Sequence, residues 1–195
     1  MNGLSEGIEA ATRELIDIEN DREAAIAYSR RVIRLTKTVI HGIHAGVPYR
    51  EESEAMDGVM DELRGVCGLP SVETSGPVQD AMGEYAEAKI FTAVMEDRPV
   101  PSHSDLGITA GSWILGLADV EGELRRAVMT RLMDGDLDSA KSLFSKMEEI
   151  HEQIMLLDVP DAVVPIRRQQ DIARGIMDKT RSDITTASVM RMGRN

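Results

Sequence analysis

The sequence predicts an all-α protein, an antiparallel bundle of about six or seven long helices. Proline is absent between Leu4 and His44, where apolar residues recur at helical spacing. Further along, groups of glycine and proline divide the chain into segments of helix length. No segment alternates apolar and polar residues as a half-buried strand does. The 195 residues, 42% of them hydrophobic, suffice for a single folded domain over residues 1–195.

Six long helices are expected in order along the chain. The first covers about Leu4 to His44 and ends before Gly46 and Pro48, as helices commonly do. The others are expected at about Glu51 to Val66, Ser75 or Pro77 to Glu96, Asp105 to Met133, Asp138 to Leu157 and Ile166 to Met190. Residues 98–102 hold two prolines and form the clearest loop, and Asp134-Gly135-Asp136 forms a turn.

Composition excludes several classes of protein. Acids outnumber bases 34 to 22, for a net charge of −12, which argues against a generally basic nucleic-acid binder but leaves room for a local basic face. Six aromatic residues are too few for stacking platforms. The single cysteine, Cys67, excludes an intrachain disulfide and suits a reducing compartment.

The chain carries no sign of export or membrane insertion. Its N-terminus has neither the basic nor the apolar region of a signal peptide. The uncharged run over residues 106–118 falls short of the roughly 20 residues that a spanning helix needs. We therefore expect a cytoplasmic protein that makes no contact with membranes.

Two pairs of acids are placed for metal binding. Glu84 and Glu87 lie on one face of the third predicted helix, and Asp119 and Glu123 lie on one face of the fourth. Apolar neighbours predict that the second pair points inward, and buried carboxylates need a cation. Oxygen-only ligands suit Mg²⁺ or Mn²⁺. Acid pairs at this spacing are also common on solvated faces, so spacing alone leaves both interpretations open.

The first helix carries a cationic stripe about three turns long. At 100° per residue its members fall within an arc of about 80°. They are Arg30, Arg34, Lys37, His41 and His44. Such a stripe can follow the phosphates of a nucleic acid, or it can be an ordinary solvated face. A metal site at the two histidines is disfavoured because no acid or cysteine lies close to them in sequence.

Charge is also segregated along the chain. Residues 51–97 hold twelve acids against two bases, whereas residues 165–195 hold seven bases against three acids. Arg167, Arg174 and Arg181 recur every seven residues on one face of the last helix. They could bind phosphates or pair with acids of a neighbouring subunit.

The sequence motifs around the acids resemble those of a known family. The run from Ile114 to Arg126, ILGLADVEGELRR, is similar to the signature of the translin family, and most of all to its TRAX (translin-associated factor X) branch, LLGVADLTGELMR. The EYAEA run at Glu84 resembles the E-Y-x-E-A motif of TRAX, and DGDLD at Asp134 resembles the short turn before the family's next helix. IRRQQD at Ile166 falls where the C-terminal helix should begin, so the resemblance extends from about residue 20 onward.

The resemblance implies a translin-like fold and a metal-dependent endoribonuclease acting on short single- or double-stranded RNA. The catalytic acids of the TRAX branch correspond to Glu84, Glu87, Asp119 and Glu123, whereas translin subunits, which bind without cutting, lack part of this set. Glu87, Asp119 and Glu123 are assigned as ligands of Mg²⁺ or Mn²⁺. Glu84 is assigned as a further ligand or as the base that orients the attacking water. Arg30, Arg34, Lys37, His41 and His44 are assigned to RNA.

The remaining predictions concern the oligomeric state of the protein and two alternative functions. The resemblance implies a closed homo-oligomer, an octamer that holds RNA inside, unless a translin-like partner subunit takes part. One alternative is a non-catalytic RNA-binding protein whose acids are structural. The other is a di-iron bundle, suggested by the step from Glu148 to His151, although only one such step is present and His151 is expected at the surface.

Overall fold

Residues 3–193 are described by a computed structural model and contain eight helices and no strands. The six long helices are α1 (Leu4–Ala45), α2 (Arg50–Val66), α4 (Gly76–Met95), α6 (Ala110–Met133), α7 (Leu137–Met155) and α8 (Ile166–Met192). The two single-turn helices are α3 (Pro70–Glu73) and α5 (His103–Leu106). The all-α prediction is confirmed. In this part of the chain, no helix combines the length and apolar character needed to cross a membrane.

The prediction of one continuous helix from Asp105 to Met133 is wrong over its first turn. Gly107 adopts a left-handed conformation (φ 58°) that ends α5, which few other residues would tolerate. The hydroxyl of Thr109 then accepts a hydrogen bond from the backbone N–H of Ser112 and caps the start of α6. The two capping signals lie only two residues apart, so a short break replaces continuous helix.

The two acid-bearing helices are neighbours in the middle of the bundle. α4 packs against α1 on one side and against α6 on the other, while α2 covers α1 and both α7 and α8 pack on α6. The centre is rich in methionine, and its fully buried members include Met56, Met60, Met82, Met147 and Met177. Unbranched side chains of this kind fill irregular gaps between helices where aromatic residues are few.

Small residues allow α4 and α6 to cross with their backbones in contact. A Cβ atom added at Gly116 would lie 2.8 Å from the Cβ of Ala86 and 3.0 Å from the backbone nitrogen of Glu87, and it would overlap the carbonyl oxygen of Gly83. Only glycine therefore fits on α6 at this point. The contact involves the backbone of Glu87 on α4 and lies about one turn before Asp119 on α6, so it sets how closely the acid pairs approach.

The N-terminal half of α1 extends beyond the bundle as an arm, residues 4–24. All of residues 3–17 are exposed, and full burial begins at Ala25. From there the buried seam of α1 advances in steps of four and three. Its members are Ala25, Ser29, Val32, Thr36 and Val39. The same steps continue backwards past Arg22 and reach a largely exposed apolar stripe on the arm, Leu4, Ile8, Ala11, Leu15 and Ile18.

Candidate active site

The crossing of α4 and α6 brings the four predicted acids together. The carboxyl of Glu87 experiences the charges of Asp119, Glu84 and Glu123, and that of Asp119 experiences the charge of Glu84. Two acids come from each helix, so the cluster exists only once the helices have packed.

Negative charge in this cluster is not fully compensated. Burial, followed by the charges of three neighbouring carboxylates, raises the pKa of Glu87 to about 8. Burial and Glu84 also raise the pKa of Asp119, against a smaller opposite effect of its hydrogen bond with Gln169. In such a cluster, protonation of one carboxyl group or binding of a cation is favoured over ionisation of all four acids.

Three of the acids are held by polar side chains from other helices. The Thr36 hydroxyl on α1 donates to Glu84 at 3.3 Å, the Gln169 amide on α8 donates to Asp119 at 2.9 Å, and Nε2 of His44 on α1 pairs with Glu123. Glu87 has no hydrogen-bond partner within residues 3–193. Sequence analysis missed Thr36 and Gln169, because a lone hydroxyl or amide carries no pattern that marks it as a partner.

His44 is the one member of the predicted cationic stripe that turns inward, so it does not share the exposed face of the other four, and its assignment to RNA stays a prediction. Its side chain is only 7% exposed and its ring lies 5.0 Å from that of Phe91. His44 stands at the edge of the stripe nearest the buried Ile40, which explains why packing draws it in. Its bond with Glu123 lowers the pKa of that acid, so Glu123 stays ionised.

The remaining members of the stripe lie in the open along α1. Arg30, Arg34, Lys37 and His41 are all exposed, and none forms an ion pair with the described residues. Arg31, on the neighbouring face, is paired with Glu62 at 3.2 Å. The stripe leads towards the acids, because His44 at its end contacts Glu123.

The arginines of the last helix are less available. Arg174 pairs with Asp171 at 2.6 Å, and Arg181 pairs with Glu148 at 3.1 Å. Arg167 lies 3.9 Å from Asp161. Each therefore has an acid of its own chain within reach, which favours the α1 stripe as the binding face for phosphates.

The donor chemistry of the cluster fits a hard divalent cation. Four carboxylates supply only oxygen atoms and more negative charge than their neighbours balance, which suits Mg²⁺ or Mn²⁺. Within the described range, no three histidine, cysteine, aspartate or glutamate side chains converge tightly enough to hold an ion as they stand. Like charges push the four carboxylates apart, and Glu123 is drawn towards His44.

A buried acid that sequence analysis missed lies on the opposite face of α6. Glu121 is fully buried and pairs with His151 of α7 at 3.2 Å, so the prediction of a surface His151 is wrong. Glu148 instead faces Arg181 of α8. The step from Glu148 to His151 therefore does not supply two ligands to one centre, and a di-iron site loses its support.

Known proteins share this architecture. The crystal structure of AfC3PO matches with a TM-score of 0.86 and 30% sequence identity, over 95% of this chain and 98% of that chain. The chain belongs to the C3PO (translin) family. The structure of an AfC3PO–duplex RNA complex matches with a TM-score of 0.88, 29% identity and the same coverage. Apo-NeC3PO, at 20% identity and a TM-score of 0.79, shares the fold over 92% of this chain and 96% of that one.

A protein of Methanocaldococcus jannaschii is also similar to this chain. Its uncharacterised protein MJ0175 is 32% identical over 174 residues, which are 88% of this chain and 78% of that protein. No protein-family model matches the chain. The translin resemblance is thus confirmed for the family and the fold, while membership of the TRAX branch stays a prediction.

Proposed function

We propose that this C3PO-family chain is a metal-dependent endoribonuclease of the TRAX type, which hydrolyses phosphodiester bonds in short RNA. The observation that carries the proposal is the meeting of Glu84, Glu87, Asp119 and Glu123 at one helix crossing, with the pKa of Glu87 raised to about 8. A free cationic stripe leads to this cluster. The duplex RNA in the AfC3PO complex gives further support for RNA as the ligand.

The proposed mechanism divides the work among the acids. Glu87, Asp119 and Glu123 would hold Mg²⁺ or Mn²⁺, which lowers the pKa of bound water and neutralises charge that develops on the phosphate. Glu84 would serve as a further ligand or accept a proton from the attacking water. Hydrogen bonds from other helices keep Asp119 and Glu123 oriented while the substrate exchanges.

Binding of the substrate would use the stripe on α1. Arg30, Arg34, Lys37 and His41 would contact successive phosphates of one strand and so carry no base preference. His44 would act within the acid cluster, where it keeps Glu123 charged and turned towards α1. The strand would therefore run along α1 and pass over the crossing of α4 and α6.

A non-catalytic RNA-binding protein is the second candidate. It is favoured by the present spread of the carboxylates, of which Glu123 is engaged by His44. Cleavage of a labelled short RNA by the purified protein, with Mg²⁺, with Mn²⁺ or with EDTA, separates the two. The nuclease predicts cutting that requires metal, that is lost in Asp119→Asn and that is kept in Asp178→Asn, an exposed acid on α8. Binding without cutting under all conditions would leave the RNA-binding protein.

Assembly with further copies of the chain, up to a closed octamer around RNA, is also proposed. It is supported by the arm of α1, whose apolar stripe continues the buried seam but lacks a cover in the described chain. An isolated helical arm is marginally stable in water, so a neighbouring subunit would stabilise it. A translin-like second subunit could take the same place.

The arm offers a direct test of assembly. Leu15 is 65% exposed, so Leu15→Glu should leave the monomer folded while reducing the mass measured by light scattering. Asp17→Glu, a charge-preserving change one face away, should leave the mass unchanged. A wild-type protein that is monomeric, or a Leu15→Glu variant with unaltered mass, would overturn the proposal.

A further inference from the structure

A groove of about 570 Å³ lies directly beside the acid cluster. It is bounded by α1, α4, α6 and the connector that precedes α8, and Glu84 and Asp119 form part of its wall. Apolar side chains line much of the remainder, including Ile33, Leu115 and Val163. Whatever occupies the groove therefore contacts two of the four acids.

The charges of the groove exclude a phosphate as its occupant. None of its lining residues is lysine or arginine, and Asp80 adds a third carboxylate to those of Glu84 and Asp119. Negative charge would be repelled from this surface, whereas the stripe on α1 outside it attracts phosphates. The groove suits a neutral group that is apolar on its faces and donates hydrogen bonds at its edge.

A ribonucleoside has this chemistry. Its base would pack against the apolar wall, and its hydroxyl groups would donate to carboxylates. Asp80 lies one turn before Glu84, is exposed, and makes no hydrogen bond or ion pair with the residues described, so its acceptors are free. Val163, at the rim, is 72% exposed, so its side chain offers apolar surface to a base at the mouth of the groove.

The dimensions of the groove favour one unpaired nucleoside. Its volume falls within the roughly 300–1,000 Å³ typical of small-molecule sites, and side chains of α1, α4 and α6 line it. A base still paired within a duplex would bring its partner strand against those helices.

We propose that this groove binds one unpaired ribonucleoside next to the scissile phosphodiester, with Asp80 accepting a hydrogen bond from the ribose 2′-hydroxyl. The proposal rests on the nuclease function, because that function places the bond to be cut beside the nucleoside in the groove. It adds a preference that the acids alone do not supply, for RNA with an unpaired nucleotide over fully paired RNA and over DNA.

The first test measures RNA binding by fluorescence anisotropy in EDTA, so that cleavage does not interfere. A duplex RNA with one bulged nucleotide is compared with the same duplex fully paired. The wild type should bind the bulged duplex about fivefold more tightly, the worth of roughly one net hydrogen bond. Val163→Trp, which fills the groove from its rim, should lose this preference, and Leu156→Trp, equally exposed but outside the groove, should keep it. Equal affinities in the wild type, or a preference that survives Val163→Trp, would overturn the proposal.

The second test examines the ribose contact. Replacing the bulged ribonucleotide by its 2′-deoxy counterpart should weaken binding to the wild type about fivefold and should leave the affinity of Asp80→Ala unchanged. Equal sensitivity of the wild type and Asp80→Ala to this replacement would exclude Asp80. Because both tests are done without metal, a failure of the nuclease function would appear as absent cleavage with these preferences intact.

Discussion

His44 on α1 pairs through Nε2 with the carboxylate of Glu123 on α6, 79 residues further along the chain. Little solvent reaches either group, with side-chain exposures of 7% and 24%. The bond keeps Glu123 ionised, whereas the raised pKa of Glu87 keeps that acid protonated near neutral pH. The cluster thus combines Glu123, which stays ionised, with Glu87, which loses its proton only when the pH rises or a cation binds.

Removal of His44 should therefore affect the metal site more than RNA binding. His44→Ala leaves Glu123 with only its longer ion pair to Arg126 at 3.6 Å, and losses of about 10- to 100-fold in metal affinity are typical when a side chain that orients a ligand is removed. RNA affinity measured in EDTA should change less than about twofold. His41→Ala, on the exposed stripe, should show the opposite pattern of a weaker RNA complex with unchanged metal affinity. A His44→Ala protein with weakened RNA binding and intact metal binding would contradict this assignment.

Glu87 should make the metal-free protein less stable as the pH rises. Its pKa is about 8 in the fold against an ordinary value of 4.5, so the folded state retains a proton that the unfolded state has lost. Between these values the free energy of unfolding should fall by about 1.4 kcal/mol per pH unit. Glu87→Gln stays neutral and should lack this decline, with its largest advantage at pH 8 and above.

Urea denaturation in EDTA across this pH range measures the effect of Glu87. Glu51→Gln, at an exposed position on α2, serves as the control and should follow the wild type. If the curves for wild type and Glu87→Gln run parallel from pH 4.5 to 8, the carboxyl of Glu87 is ionised in the fold and its surroundings do not raise its pKa.

The helix crossing predicts opposite effects for the same substitution at two glycines of α6. Gly116→Ala forces α4 and α6 apart and should destabilise the protein by about 1–3 kcal/mol, as overpacking does. Gly122→Ala has nothing within 4 Å of the added Cβ and should stabilise the helix by roughly 0.5–1 kcal/mol. Thermal denaturation distinguishes the two, and a Gly116→Ala variant of unaltered stability would show that the crossing can relax without loss.

The cationic stripe predicts a change in the salt dependence of RNA binding. Lys37→Gln removes one free cation, so the slope of log affinity against log salt concentration should fall by about one. Arg31→Gln, whose guanidinium is already paired with Glu62, should alter the slope much less. Identical slopes for Lys37→Gln and wild type would place the RNA elsewhere on the molecule.

The helices were predicted from the sequence more accurately than the contacts between them. Uninterrupted helical periodicity and Gly–Pro groups located the six long helices to within a few residues, because these signals are local. The break at Gly107 was not predicted, because a glycine that ends a helix cannot be distinguished from one within a helix until its φ angle is known. The approach of the acid pairs was expected only through the family resemblance, because spacing on a single helix says nothing about which helix packs against it.

The side chains that contact the acids could not be predicted from the sequence. Thr36, Gln169 and His44 lie on helices distant in sequence from the acids they contact, and none stands in a repeating pattern with them. His44 was assigned to a solvated stripe since its angular position alone does not reveal that Phe91 draws it inward. His151 was placed at the surface by its acidic neighbours, although a buried Glu121 pairs with it.

The central claim is that the crossing of α4 and α6 holds a divalent metal ion through the four acids. Crystals of the protein soaked in Mn²⁺ and measured for anomalous scattering locate such an ion directly. We predict a peak within coordination distance of the carboxylate oxygens of Asp119 and Glu123, and its loss in crystals of Asp119→Asn. A peak only at other acids of the surface, or an unchanged peak in Asp119→Asn, would contradict the account.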